Sequence, residues 1–217
     1  MDKTLLIFDI DDTLTESATI HQLLFKESLE ELGVKNMNSN FGGYQHHTDS
    51  YISKCIFESY FNSDFDADKC QEFGKLLSTK MAKQQIIEIP GAKNILQKIK
   101  LDENYAICFA TGSLRIPAIQ KLKSINSPFS ESLLVASDNI FERENIVLKA
   151  IEAAKNQYGI PTFKRMVSVG DGLWDLKTAA NLNLEFVAIG NRNEEVLRKH
   201  GCKTHFPNFL NVELNDF

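Results

Sequence analysis

The sequence predicts an α/β protein, a parallel sheet layered between helices, with a helical segment inserted after the first strand. Three observations carry that expectation. Apolar runs of β-forming residues recur along the chain, stretches of helical periodicity separate them, and one long segment interrupts the rhythm with helices alone.

Thr4–Phe8 (TLLIF) is the first run. It is continuously apolar, as in a strand buried on both faces, rather than alternating as in a half-exposed one. Tyr105–Ala110 (YAICFA), Ser132–Ala136 (SLLVA), Met166–Val169 (MVSV) and Glu185–Ile189 (EFVAI) repeat the pattern, and each ends in polar or glycine residues. In open α/β sheets ligands gather beyond the carboxyl ends of the strands, so those endings are where chemistry is expected.

Residues 16–89 break the alternation. Ile20, Leu24, Phe25, Leu29 and Leu32 mark one amphipathic helix with Gly33 as its stop, and Ile52, Ile56, Phe57 and Tyr60 mark a second. Pro90-Gly91 punctuates the return, and Ala92, Ile95, Leu96 and Ile99 give the apolar face of the next helix. The expected organisation is therefore a core domain of residues 1–15 and 90–217, with an α-helical cap domain over residues 16–89.

Bulk properties narrow the function. The 217 residues suffice for a core without metal or disulfide staples. A formal charge of -5 offers no general field for polyanions, which argues against nucleic acid as a partner. Cys55, Cys70, Cys108 and Cys202 lack metal-site spacing and read as reduced thiols. Asp9, Asp11 and Asp12 end the N-terminal apolar run before it could span a membrane, so the expected location is cytoplasmic, with no membrane partner.

At the first strand end, Phe8-Asp9-Ile10-Asp11-Asp12-Thr13 places two carboxylates two residues apart. Strand geometry points Asp9 and Asp11 the same way, subject to rotation by the following turn. Close carboxylates repel unless a cation or proton intervenes, which suits a metal site or an acid/base pair. The plain alternative is an acidic turn, with Asp12 or Thr13 capping the next helix.

With its Asp-x-Asp-x-Thr motif (Asp9, Asp11, Thr13), the chain resembles the haloacid dehalogenase superfamily of hydrolases, in particular phosphatases similar to phosphoglycolate phosphatase with a helical cap. Two further segments carry the resemblance: Thr111-Gly112-Ser113 after the second core run, and Gly170-Asp171-Gly172-Leu173-Trp174-Asp175, a match to the Gly-Asp-x-x-x-Asp pattern. The resemblance implies a Rossmann-like three-layer core and a magnesium-dependent phosphatase acting on a small phosphorylated metabolite. In it Asp9 is the nucleophile that forms an aspartyl-phosphate, and Asp11 is the general acid and base. Mg2+ would be held by Asp9, Asp171, Asp175 and the chain at Asp11, and the phosphate by Asp9, Ile10, Asp11, Thr111 and Gly112.

The chain departs from the family at the third signature, where many relatives carry Lys-Pro before a helix. Here Phe141–Lys149 reads FERENIVLK. Val147, Ala150, Ile151, Ala154 and Tyr158 define the apolar face of that helix, which places Lys149 on the polar side and Arg143 just before the helix. Both basic residues are candidates for the phosphate, and Arg143 is preferred because a guanidinium and free helical N–H groups could face the same oxygens. Tyr44, His47, Thr48 and Asp49 are candidate substrate contacts in the cap, and Trp174 reads as structural. The expected assembly is a monomer or weak homodimer. A sugar phosphomutase of the same superfamily is the nearest alternative, and a non-enzymatic phospho-acceptor module is a more distant one.

Overall fold

The computed structural model of the chain describes residues 3–37 and 40–217. The first two residues of the expected core domain and residues 38 and 39 of the insertion lie outside the described residues.

Six strands form one sheet: β1 (Thr4–Phe8), β4 (Tyr105–Ala110), β5 (Leu134–Val135), β6 (Arg165–Gly170), β7 (Glu185–Ile189) and β8 (Thr204–Phe206). Their spatial order is β5-β4-β1-β6-β7-β8, and every pairing is parallel. The apolar run at β1 therefore occupies the middle. Leu5, Leu6, Ile7 and Phe8 are almost wholly buried, as a strand covered on both faces requires.

Helices α4 (Ala92–Leu101), α5 (Arg115–Ser124), α6 (Arg143–Tyr158), α7 (Leu173–Asn181) and α8 (Glu194–Lys199) connect the strands. The apolar positions Ala92, Ile95, Leu96 and Ile99 on α4, and Val147, Ala150, Ile151 and Ala154 on α6, are all buried against the sheet cluster. These are the i, i+3, i+4, i+7 stripes that make a helix adhere to a sheet. The run Ser132–Ala136 is strand only at Leu134–Val135, because Glu131–Leu133 closes into a 3-10 turn at the sheet edge. Strand β8 had no signal in the sequence, being three half-buried residues at the opposite edge.

The insertion holds α1 (Ala18–Glu31), α2 (Asp49–Phe61) and α3 (Ala67–Met81) around a second hydrophobic cluster that includes Leu24, Phe25, Leu29, Ile56, Phe73 and Leu77. It is not purely helical. Its two ends pair as the short antiparallel strands β2 (Thr15–Glu16) and β3 (Ile87–Glu88), so the chain leaves and re-enters the core through one two-stranded neck. Leu114, from the loop before α5, packs into this second cluster and ties the insertion to the carboxyl end of β4.

Candidate active site

Three adjacent strands deliver the site. β1 pairs in register with β4 on one side and β6 on the other, Phe8 lying opposite Phe109 and Val169. The residues that follow, Asp9, Thr111 and Asp171, therefore emerge side by side at one sheet edge. Asp9 is pinned by its N–H, which donates to the Val169 carbonyl at 2.9 Å.

Asp9, Asp171 and Asp175 are buried, and each offers a carboxylate oxygen within 4.8 Å of the others. Such crowding is costly for the ionised forms. Burial and the charge of Asp175 push Asp9 up to about 8, against the opposing pull of Arg143. Asp171 is also raised, by burial first and then by Asp175 and Asp9. Oxygen ligands, mutual repulsion and exclusion from bulk water fit a hard divalent cation such as Mg2+. Asp175 is already engaged at both oxygens, accepting from the Arg143 guanidinium and, at 3.1 Å, from the Gly172 N–H. That leaves Asp9 and Asp171 as the freer donors.

Arg143 is the first residue of α6 and is buried. Its Nη2 donates to Asp9 Oδ1 at 3.2 Å and to Asp175 Oδ1, so the guanidinium neutralises part of the acidic cluster and faces the cleft. Lys149 lies on the exposed side of α6 and does not line the cleft. The expectation that it could serve the phosphate is corrected, because six residues along a helix from Arg143 turn its side chain to solvent.

Asp11 also departs from expectation. Its carboxylate is not part of the acidic cluster. The chain turns after Ile10, with Asp12 at φ +53°, and although the Asp11 charge is still felt by Asp9 and Asp171, its oxygens are taken up by other partners. Its oxygens accept from Ser17 Oγ (2.5 Å), Ser113 Oγ (2.7 Å) and Lys121 Nζ (2.6 and 2.7 Å). Burial, the largest single influence, would raise this carboxyl, but the charge and hydrogen bonds of Lys121 together with His21 and Ser17 outweigh it and hold Asp11 well below the usual carboxylate range. Asp12 does what the plain reading of the motif allowed, its Oδ1 accepting from the N–H groups of Ser17 and Ala18 at the start of α1.

On the β4 side, Thr111 is buried and its Oγ1 accepts from the Ser113 N–H at 3.1 Å, leaving the hydroxyl proton to donate into the cleft. Gly112 is required by close approach. A Cβ there would lie 2.5 Å from the His47 carbonyl and 2.6 Å from Arg143 Nη1. The Ile10 side chain is fully buried, and its N–H donates to the Asp9 carboxylate.

The cleft has a volume of about 230 Å3 and is roofed by the insertion through His21, Gln22, Phe25, Phe41, His47 and Ile52. His47 stacks on Trp174, with centroids 5.0 Å apart. Trp174 thus lines the cleft as well as packing. Burial, then the charges of Arg143 and Lys177, lower the His47 pKa. Thr48 and Asp49 line the cleft but already have protein partners. Thr48 Oγ1 donates to the Phe141 carbonyl at 2.8 Å, and Asp49 accepts from the Leu114 N–H at 2.8 Å while contacting His21 Nε2 at 2.9 Å. Tyr44 does not line the cleft itself but an adjoining depression beside His46 and Lys177, which shares His47, Arg143 and Trp174 with it.

Sequence reasoning passed over Lys121, His21 and Ser113. A signal existed for two of them. Lys121 shares the buried face of α5 with Pro117, Ala118 and Leu122, and His21 falls in line with Leu24, Phe25 and Ser28 on α1. A titratable side chain on an apolar helix face marks a buried partner.

Residues 6–189 match the family model of haloacid dehalogenase-like hydrolases. No curated protein sequence matches the chain. Among solved structures, a hydrolase from Pseudomonas syringae is 20% identical with a TM-score of 0.71, over 97% of each chain. CbbY from Rhodobacter sphaeroides in complex with phosphate is 18% identical with a TM-score of 0.68, over 100% of this chain and 99% of that one. A family IA, variant 3 hydrolase from Entamoeba histolytica is 18% identical with a TM-score of 0.69, over 100% and 97%. These likenesses establish the α/β fold with its Rossmann-like parallel sheet. Among the described residues, no helix is long and apolar enough to cross a membrane.

Proposed function

Because the chain belongs to the haloacid dehalogenase-like hydrolase family, we propose that it is a magnesium-dependent phosphatase. It hydrolyses a small-molecule phosphate monoester through a phosphoryl group carried on Asp9. One observation supports this above the others: Asp9, one of three clustered buried carboxylates, lines the same cleft as the Thr111–Ser113 turn and accepts from Arg143.

Each requirement of phosphoryl transfer has a residue. Ionised Asp9 attacks phosphorus; the bond to the leaving oxygen breaks, and that oxygen takes a proton from Asp11. Water then attacks phosphorus, gives its proton to Asp11, and the bond to Asp9 breaks with release of phosphate. Asp11 is ionised at rest, so it relays both protons, receiving from solvent the one it hands to the leaving oxygen and returning to solvent the one it takes from water. Arg143, the Thr111 hydroxyl and the Gly112 backbone are placed to hold the equatorial oxygens. Asp9 and Asp171, with Asp175 in support, would hold Mg2+, which supplies charge neutralisation at the phosphoryl group and relieves the repulsion among the carboxylates.

The roof of the cleft favours a phosphatase over the sugar phosphomutase alternative. A mutase of this kind must hold a bisphosphate at both ends, whereas the described residues that the insertion contributes to the cleft include no lysine or arginine, and Arg192, which the sheet unit adds to the lining, is paired with Asp12 at 2.9 Å. The four cysteines are free thiols, which supports action in the reducing cytoplasm. The proposed enzyme works as a monomer or weak homodimer on a phosphorylated metabolite.

A panel of phosphorylated metabolites assayed with Mg2+ and with chelator tests the reading. Phosphate release is expected only with the metal, and Asp9→Asn should lower turnover by at least about 10^4-fold, as loss of a nucleophile does. Near-normal turnover by Asp9→Asn would overturn the assignment.

A further inference from the structure

Lys121 lies on the buried face of α5 with no exposed surface. Burying an ammonium costs several kcal/mol unless its charge and all its protons are matched, and an apolar side chain would fill the same space without that cost. Here the match is complete. Nζ donates to the Asp11 carboxylate at 2.6 and 2.7 Å, to Ser113 Oγ at 2.8 Å, and to His21 Nδ1 at 3.0 Å. An ammonium has three protons and accepts nothing, so Nδ1 of His21 must be the acceptor and Nε2 must carry the ring proton. That proton points at Asp49 Oδ1, 2.9 Å away. Asp49 Oδ2 accepts from the Leu114 N–H, and the Asp49 N–H donates to the Gly112 carbonyl, both at 2.8 Å.

A continuous run of hydrogen bonds thus leads from Asp11 through Lys121 and His21 to Asp49 and back to the turn after β4. His21 and Asp49 sit on α1 and α2 of the insertion, whereas Asp11, Lys121 and Leu114 belong to the sheet unit. The run crosses between the two hydrophobic clusters at the mouth of the cleft.

We infer that Lys121 is a positioning residue for the acid and base Asp11, and that the His21–Asp49 pair makes this positioning depend on the insertion being seated over the cleft. The inference rests on the phosphatase reading above. Lys121 does not touch the reacting atoms. It fixes the direction of the Asp11 carboxylate, so in the transfer to Asp9, the half-reaction that kcat/KM reports, its loss should matter only where the leaving oxygen needs a proton.

That condition yields a test that a merely structural role would fail. Lys121→Met and Asp49→Asn are compared with wild type, with Mg2+, on p-nitrophenyl phosphate and on a simple alkyl phosphate. The nitrophenolate leaves without a proton, whereas the alkoxide needs one. For Lys121→Met, kcat/KM on the alkyl ester should fall about 10^2-fold or more, within the usual range for general acid catalysis. On the aryl ester kcat/KM should fall less than about tenfold. Asp49→Asn acts from the far end of the run and should show the same leaving-group bias at smaller size; it carries the test if Lys121→Met does not fold. Equal losses on both esters, or no loss on either, would overturn the inference while leaving the phosphatase reading intact. A wild type that releases phosphate from neither these esters nor any member of the metabolite panel would instead remove the phosphatase reading, and the inference with it.

Discussion

Asp9 and Asp11 are two residues apart in one motif, yet the fold gives them opposite surroundings. Asp9 shares its space with two more carboxylates and is pushed up to about 8. Asp11 meets a buried ammonium and is held below the normal carboxylate range. The difference teaches that spacing along a strand end does not fix electrostatic role. Asp9 meets the guanidinium of α6, whereas Asp11 meets the ammonium of α5 and the hydroxyls of Ser17 and Ser113.

The comparison can be broken most forcefully at Arg143, the cation that faces Asp9 and Asp175. Arg143→Met should destabilise the metal-free protein by about 3–5 kcal/mol, since it leaves buried charges uncompensated. Urea denaturation measures the loss, and Mg2+ should restore part of it.

A smaller effect sharpens the same contrast through pH. Asp9 and Asp171 bind protons more tightly in the folded state than in the unfolded chain, where a carboxyl titrates near 3.9. As pH rises from 5 to 8 the unfolded state is already ionised while the folded state must be forced to ionise, so stability falls. Asp11 has the opposite sign: its contribution is complete above its unfolded pKa and is lost only as pH falls through the acid range. Thermal melts of metal-free protein should therefore show Tm decreasing between pH 5 and 8 by a few degrees, about 1 kcal/mol or more. Saturating Mg2+ should flatten the trend. A Tm that rises across this window without metal would contradict the crowding of carboxylates at Asp9.

The smallest expected effect separates the two basic candidates. Lys149→Ala should change stability by less than about 0.5 kcal/mol, as surface substitutions do, and turnover by less than twofold. A tenfold loss of kcat would return Lys149 to the phosphate.

Much of this site was legible before folding. An apolar run that ends in Asp, Thr-Gly or Gly-Asp announces both a buried strand and what stands at its carboxyl end, and β1, β4 and β6 follow those runs to within a residue. The helical stripes of α1, α4 and α6 were equally plain, because periodicity records which side chains must leave water. The edge strands β5 and β8 were shortened or missed because they are brief and only partly buried, so composition constrains them little.

What the sequence determined by itself was therefore the set of reactive groups and the layered α/β frame that carries them, both written in local patterns of polarity. Only the tertiary structure decided that Arg143 meets Asp9 and Asp175, that the Asp11 carboxylate leaves the acidic cluster, and that Lys121 meets Asp11 and His21. Those choices join residues up to 134 positions apart. The physical reason is that a buried charge is stabilised by whichever partner the packing brings within hydrogen-bonding distance, and no local pattern along the chain encodes which partner that will be.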